Sequence, residues 1–316
     1  MKKFFKFIVI ALLLSCLFFI LLKPERYVKS AFEGLKLWAV VIVPSLLPFF
    51  FFTSLLSALG LTGFISRIMQ KPFKFLFKAG GAGAYAFIMS LLSGYPVGAR
   101  IIADLSENGI ISEDEATRLS ALCSTSGPAF IVSGVGIGMF GNKKIAVVIL
   151  LSHVVSAFCC GLIFRFVGSE IPSSGRLVSP SKSDNLLYDS VYSSVISVAL
   201  VGGFVCVFSV VADIAQDVAL FSPLTKLMSV AVEKDVSNAF LYGLIECTRG
   251  CKALSLCKLS TYSPAFASAL ISFGGISVWA QSIIFLTRAN ANIKVFCLSK
   301  TIQAILSFVF CLILLI

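Results

Sequence analysis

Charge is scarce in this 316-residue chain: Asp, Glu, Lys and Arg make up 13% of it, and there is a single His. That leaves too little polar surface to clothe a soluble domain of this size. The ten Cys are scattered, with no CxxC spacing, and most lie inside apolar runs, where a thiol behaves as a small hydrophobe. Neither a zinc site nor a disulfide framework is expected, and no cofactor. No GxSxG, HExxH, phosphate-binding loop or pair of catalytic carboxylates is present, so nothing announces an enzyme or an ATP-driven pump.

What is abundant is apolar: 58% hydrophobic residues, 30 of them Phe, with a mean hydropathy of +0.99. The fold class this predicts is an all-α polytopic membrane protein. The net charge of +11 sits mostly between apolar runs, where basic residues set orientation, and leaves no basic face for nucleic acid. The partners expected are the lipid bilayer and a small solute, with self-association left open.

Runs long enough to cross a bilayer occur near 4–22, 37–60, 117–140, 145–166, 191–212, 263–287 and 293–316. The first, with its flanking lysines, reads as an uncleaved anchor within residues 1–29 rather than a signal peptide. Residues 81–105 and 236–256 are apolar but interrupted by "SGYPVGAR" and "IECTRGCK". Residues 213–235 mix charge with apolar positions, as interfacial helices do. A polar, Pro/Ser-rich connector at 169–189 divides the chain.

The two sides of that connector, 30–168 and 190–316, carry the same order of features. Gly127 precedes His153 by 26 positions and Gly274 precedes Lys300 by 26, while "GAR" at 98–100 is answered by "GCK" at 250–252. If the interrupted segments are re-entrant hairpins, each half crosses three times and the second is upside down. The expectation is two inverted repeats with re-entrant hairpins and broken transmembrane helices. Lys and Arg outside the spans favour a cytoplasmic N-terminus only weakly.

Backbone groups freed inside a bilayer cost several kcal/mol each unless protein or a wet cavity satisfies them. Four breaks invite such a cavity: "SGYPVG" (93–98), "STSGP" (124–128), "ECTRG" (246–250) and "SFGGIS" (272–277). Broken helices at matching positions of two halves point to a midplane substrate site, with helix N-termini offering free N–H groups to an anion. The residues expected to bind substrate are Ser93, Gly94, Tyr95, Pro96, Gly98 and Arg100; Ser126, Gly127 and Pro128; Glu246, Arg249, Gly250 and Lys252; and Gly274, Gly275, Ser277 and Gln281. Arg100 and Lys252, each two positions after a paired Gly, are expected on opposite sides of the cavity. Lys300 is a further cation beside these segments. Glu246 pairing with Arg249 or Lys252 would be a structural alternative. A lone His such as His153 is more often packed than a proton relay, and Trp38 and Trp279 more often pack than stack on a ligand.

At "VVIVPSLLPFFFFTSLL" (40–56), "LLSGYPVGARIIADL" (91–105), "STSGPAFIVSGVGIGMF" (124–140) and "GGISVWAQ" (274–281), the chain resembles the YlbJ-like sporulation integral membrane proteins. Those carry paired nucleoside-recognition, or Gate, repeats and are similar in architecture to concentrative nucleoside transporters. The resemblance implies a cell-membrane protein that moves a small anion, dipicolinate, out of the mother-cell cytoplasm during sporulation. A non-transporting scaffold in spore envelope assembly and a nucleoside-type transporter are the alternatives.

Overall fold

A computed structural model describes residues 2–168, 185–257 and 262–316. Fifteen α-helices and two π-helical stretches make up the described chain, which holds no strand. Five helical stretches are long and apolar enough to cross a membrane: Pro24–Phe77, Lys143–Phe164, Leu186–Asp217, Tyr262–Arg288 and Ile293–Leu315. The polar connector lies outside the described residues as far as position 184.

The chain's first helix is α1 (Lys2–Leu22), whose apolar side chains from position 6 onward are mostly exposed, as suits a helix facing lipid. After it, α2 (Pro24–Leu37) opens on Pro24, whose missing N–H is harmless in the first turn. A π-helical stretch, Trp38–Ile42, then joins α2 to α3 (Val43–Ala58). Its cause is local: Pro44 has no N–H to offer the preceding turn, and the Val43 N–H reaches back five residues to Trp38 instead. Next comes α4 (Leu61–Phe77), strongly amphipathic and closed by Lys78 in the left-handed region. An interfacial position fits that pattern.

The interrupted segment 81–105 is a pair of short helices, α5 (Gly81–Ser93) and α6 (Val97–Glu107). The expected span 117–140 is not continuous. It consists of α7 (Glu113–Leu122), an irregular break at 123–129, and the second π-helical stretch, Phe130–Met139. The half ends with α8 (Lys143–Phe164), capped by the Asn142 carboxamide.

The second half repeats this order. After α9 (Leu186–Asp217) and the short α10 (Ser222–Met228) come α11 (Lys234–Gly243) and α12 (Cys247–Leu256). Then α13 (Tyr262–Phe273) breaks at Gly274, φ +87°, and resumes as α14 (Gly275–Arg288). The last helix, α15 (Ile293–Leu315), is capped by Asn292, as α8 is by Asn142.

Packing between the halves is reciprocal. Helix α6 lies on α14, and the 130–139 stretch lies on α12; α7 meets α15, and α8 meets α13. The helix formed by α2 and α3 runs antiparallel to α9. Tyr27 hydrogen-bonds Asp217, Ser30 the Ser209 carbonyl, Trp38 the Val198 carbonyl and Ser54 the Ser193 hydroxyl. Both large apolar clusters draw on the two halves, so neither half has a core of its own.

Candidate substrate site at the helix breaks

The breaks are held by glycines placed where no side chain fits. At Gly94, φ +82°, a Cβ would stand 2.4 Å from the Gly127 nitrogen, so the first hairpin and the α7 break touch backbone to backbone. A Cβ on Gly98 would meet the Cys123 carbonyl, and one on Gly250 would meet the Gly243 Cα. These two glycines seat α6 on the α7 break and α12 on α11.

All four breaks contribute to one small cavity. Tyr95, Ser126, Gly127, Glu246, Gly274, Ser277 and Gln281, all expected at the site, line it together with Cys247, Thr248 and the apolar Ile42, Leu46, Val201 and Val205. The Tyr95 and Ser277 hydroxyls are buried and have no hydrogen-bond partner among the described residues. Unpaired hydroxyls in a buried, partly polar pocket are what a polar ligand would satisfy. The cavity measures about 60 Å³, room for about four waters at roughly 15 Å³ each. Its walls must move before an aromatic solute can enter.

The anticipated free N–H groups are largely spent. Ile276 and Ser277, at the start of α14, donate to the Leu244 and Ile245 carbonyls, at 2.8 and 3.1 Å. The Glu246 carboxylate caps α12, accepting from the Thr248 and Arg249 backbone at 3.2 and 2.7 Å, and Ser126 donates its N–H to His153 Nε2 at 2.9 Å. Protein acceptors thus close the helix starts that the sequence offers to an anion.

The cations are also redistributed. Arg100 is exposed and reaches the Ser197 hydroxyl and Asp104, and Lys252 is exposed. Neither lines the cavity. Arg249 turns away to Asp213 (2.7 Å), the Ser209 carbonyl (2.7 Å) and the Ser30 hydroxyl. Its ion pair is therefore with Asp213 rather than Glu246, whose carboxylate holds only the Arg249 backbone N–H. Ser93, Gly94, Pro96, Pro128 and Gly275 frame the breaks without lining the cavity.

Lys300 is a fully buried cation, 0% exposed within α15. Its ammonium donates to the Ser124 carbonyl at 2.5 Å and to the Gln303 side-chain oxygen, and lies 5.2 Å from the Tyr95 ring centroid. No carboxylate forms an ion pair with it among the described residues. The sequence signal was a lysine inside a 23-residue apolar helix, which is expensive at that depth without a function. His153, at the corresponding place in α8, is also fully buried and bridges the breaks. Its Nε2 accepts from Ser126, so Nδ1 carries the proton and donates to the Ser272 hydroxyl at 2.8 Å. Both Trp residues pack within the protein: Trp38 donates to the Val198 carbonyl, and Trp279 to the Phe273 carbonyl. Neither lines the cavity.

Comparison with known proteins agrees with the motifs. Residues 39–170 match the family described as Gate, nucleoside recognition. The chain is 29% identical over 320 residues to the sporulation integral membrane protein YlbJ of Bacillus subtilis (strain 168), a match covering 92% of this chain and 78% of YlbJ. Among solved structures, a double variant of CNTnw in an outward-facing state is similar with a TM-score of 0.49 and 11% identity, over 87% of this chain and 76% of that one.

Proposed function

We propose that this integral membrane protein, which matches the Gate family over residues 39–170 and resembles YlbJ along most of its length, is a secondary transporter or facilitator for a small anionic metabolite. The observation that carries the reading is Lys300. It is a fully buried ammonium with no carboxylate opposite it among the described residues, set behind Tyr95 at the wall of the cavity where the four breaks meet. A buried charge held only by neutral oxygens and a ring face is incompletely compensated, and an entering carboxylate completes the pair. Tyr95 and Ser277 supply hydroxyls for the same ligand. Dipicolinate, a flat aromatic dicarboxylate, is the substrate we favour, in keeping with the sporulation protein that the chain resembles.

The antiparallel course of α2–α3 and α9, together with the reciprocal packing of the halves, supports an inverted repeat. In that arrangement the site is reached from alternate faces of the membrane. We take the N-terminus as cytoplasmic.

A specific observation favours a second reading. The cavity wall itself carries Glu246 and no cation, and Ser277, Thr248 and Gln281 suit an uncharged solute such as a nucleoside, in line with the family description. A binding screen on the purified protein, with dipicolinate and nucleosides side by side and thermal stabilisation as the readout, separates the two. Stabilisation by dipicolinate alone supports the anion, and stabilisation by nucleosides alone supports the second reading. Stabilisation by neither favours a scaffold without flux.

A further inference from the structure

Two larger clefts lie on either side of the small cavity, and one face of α9 lines all three. Ser190, Ser193, Ser194 and Ser197 border the first cleft, about 510 Å³, with Thr53, Tyr85 and Arg100 opposite. Val201 and Val205 border the cavity. Ala212, Asp213 and Gln216 border the second cleft, about 430 Å³, with Asn238, Tyr242 and Arg249 opposite. Positions 190, 194, 197, 201, 205, 209, 213 and 216 recur every three or four residues, which is a single helical stripe. At about 1.5 Å per residue, the stripe from Ser190 to Asp213 is roughly 35 Å long, against about 30 Å of bilayer hydrocarbon. The antiparallel helix keeps step on the facing wall: Ile42 and Leu46 line the cavity, and Phe50, Thr53, Ser54 and Ser57 line the first cleft.

The geometry points to a single path along this stripe, closed on the side of the second cleft by a latch formed by Arg249 with Asp213, the Ser209 carbonyl and the Ser30 hydroxyl. This rests on the transport reading above. Between the cavity and the second cleft α9 makes about two turns, from Val205 to Ala212. The Arg249 guanidinium spans that interval, fixing α12 to both α9 and α2 through three partners. It is a positioning residue for the closed state rather than a ligand contact. On the first side about one turn of α9, Ser197 to Val201, separates cleft from cavity, and Thr53, which lines that cleft, meets the Ser93 hydroxyl at 2.9 Å. The two sides differ in kind: a hydroxyl pair on one, and a charged latch on the other. Opening the second mouth requires the guanidinium to leave Asp213.

Native cysteines report on this without a substrate. Cys257 borders the second cleft, Cys247 lines the cavity at 4% exposure, and Cys123 and Cys160 are fully buried elsewhere. The full-length protein in detergent would be treated with a small charged methanethiosulfonate reagent and each cysteine's labelling rate read by peptide mass spectrometry. In the wild type, Cys257 is expected to react quickly and Cys247 slowly. Arg249→Ala and Asp213→Asn should each raise the Cys247 rate tenfold or more while Cys123 and Cys160 stay protected. The charge exchange, Arg249→Asp with Asp213→Arg, should restore protection. Should Arg249→Ala expose Cys123 and Cys160 as well, it has unfolded, and Asp213→Asn and the exchange decide. An unchanged Cys247 rate in the folded variants overturns the latch, as does failure of the exchange to restore protection. Because no ligand takes part, the latch can fail while the anion reading stands, and the reverse.

Discussion

Lys300, in the last helix of the second half, donates a 2.5 Å hydrogen bond to the carbonyl of Ser124, at the break of the first half. His153, its counterpart in the first half, reaches the Ser272 hydroxyl at the break of the second. Each half thus places the residue 26 positions after its central glycine against the other half's break. The site depends on both halves being docked together.

The hydroxyls of Tyr95 and Ser277 separate binding from folding. Having no protein partner among the described residues, they contribute nothing through hydrogen bonding to the empty fold, and removing them leaves no orphaned group behind. Tyr95→Phe and Ser277→Ala should leave the unfolding temperature unchanged and weaken ligand binding by roughly fivefold to tenfold each, the worth of about 1 kcal/mol. Titration calorimetry with parallel thermal melts checks both parts.

Gly94 and Gly98 should tolerate no side chain. A Cβ at Gly98 would lie 1.9 Å from the Cys123 carbonyl, and Gly94 combines a 2.4 Å approach with a left-handed φ. Alanine at either position should cost about 1–3 kcal/mol or abolish the folded protein. Gly63→Ala, with open space around it, should be neutral or slightly stabilising. Size-exclusion profiles and thermal melts in detergent measure the contrast.

Loss of His153 should loosen the junction of the breaks. His153→Phe takes the protein partner from the Ser126 N–H and the Ser272 hydroxyl, both buried, at about 1–3 kcal/mol for each orphaned group. Stability should fall by that order, and hydrogen exchange at Ser126 should speed up more than at residues within α8.

An exposed contact between the halves gives a pH signature. Glu107, at the end of α6, holds Arg288 of α14 through two hydrogen bonds, 2.8 and 2.6 Å. Bonding to the guanidinium holds the Glu107 carboxyl below its ordinary value. A depressed folded value means the contact stabilises above the unfolded carboxylate pKa of about 4.3, and that support disappears as pH falls through the lower folded value. The wild type should therefore lose more thermal stability than Glu107→Gln between pH 6 and pH 3.

Much of the fold was legible because breaks in an apolar sequence are conspicuous. Pro and Gly in "SGYPVG", "STSGP" and "SFGGIS" mark places where helices must stop, and the helices do stop there. The run 117–140 is long enough to read as one span, yet "STSGP" inside it marks the interruption found at 123–129. Side-chain direction was not readable at all. Arg249 sits within one turn of Glu246 and Lys252 less than two turns beyond it, yet Arg249 turns to α9 and Lys252 to the exterior, a choice made by tertiary partners such as Asp213. The helix starts looked open to an anion because nothing in the local sequence announces that the Leu244 and Ile245 carbonyls lie opposite Ile276 and Ser277.

The central claim is that the Lys300 ammonium draws an anion into the cavity. It is tested most directly by dipicolinate binding to purified wild-type protein and to Lys300→Gln, with equal thermal stability confirmed for both. Losing a charge-assisted contact of about 1.5–3 kcal/mol should weaken binding by roughly tenfold to a hundredfold. A nucleoside, if it binds at all, should be unaffected. Equal dipicolinate affinity in the two proteins, or no dipicolinate binding in the wild type, would contradict the account.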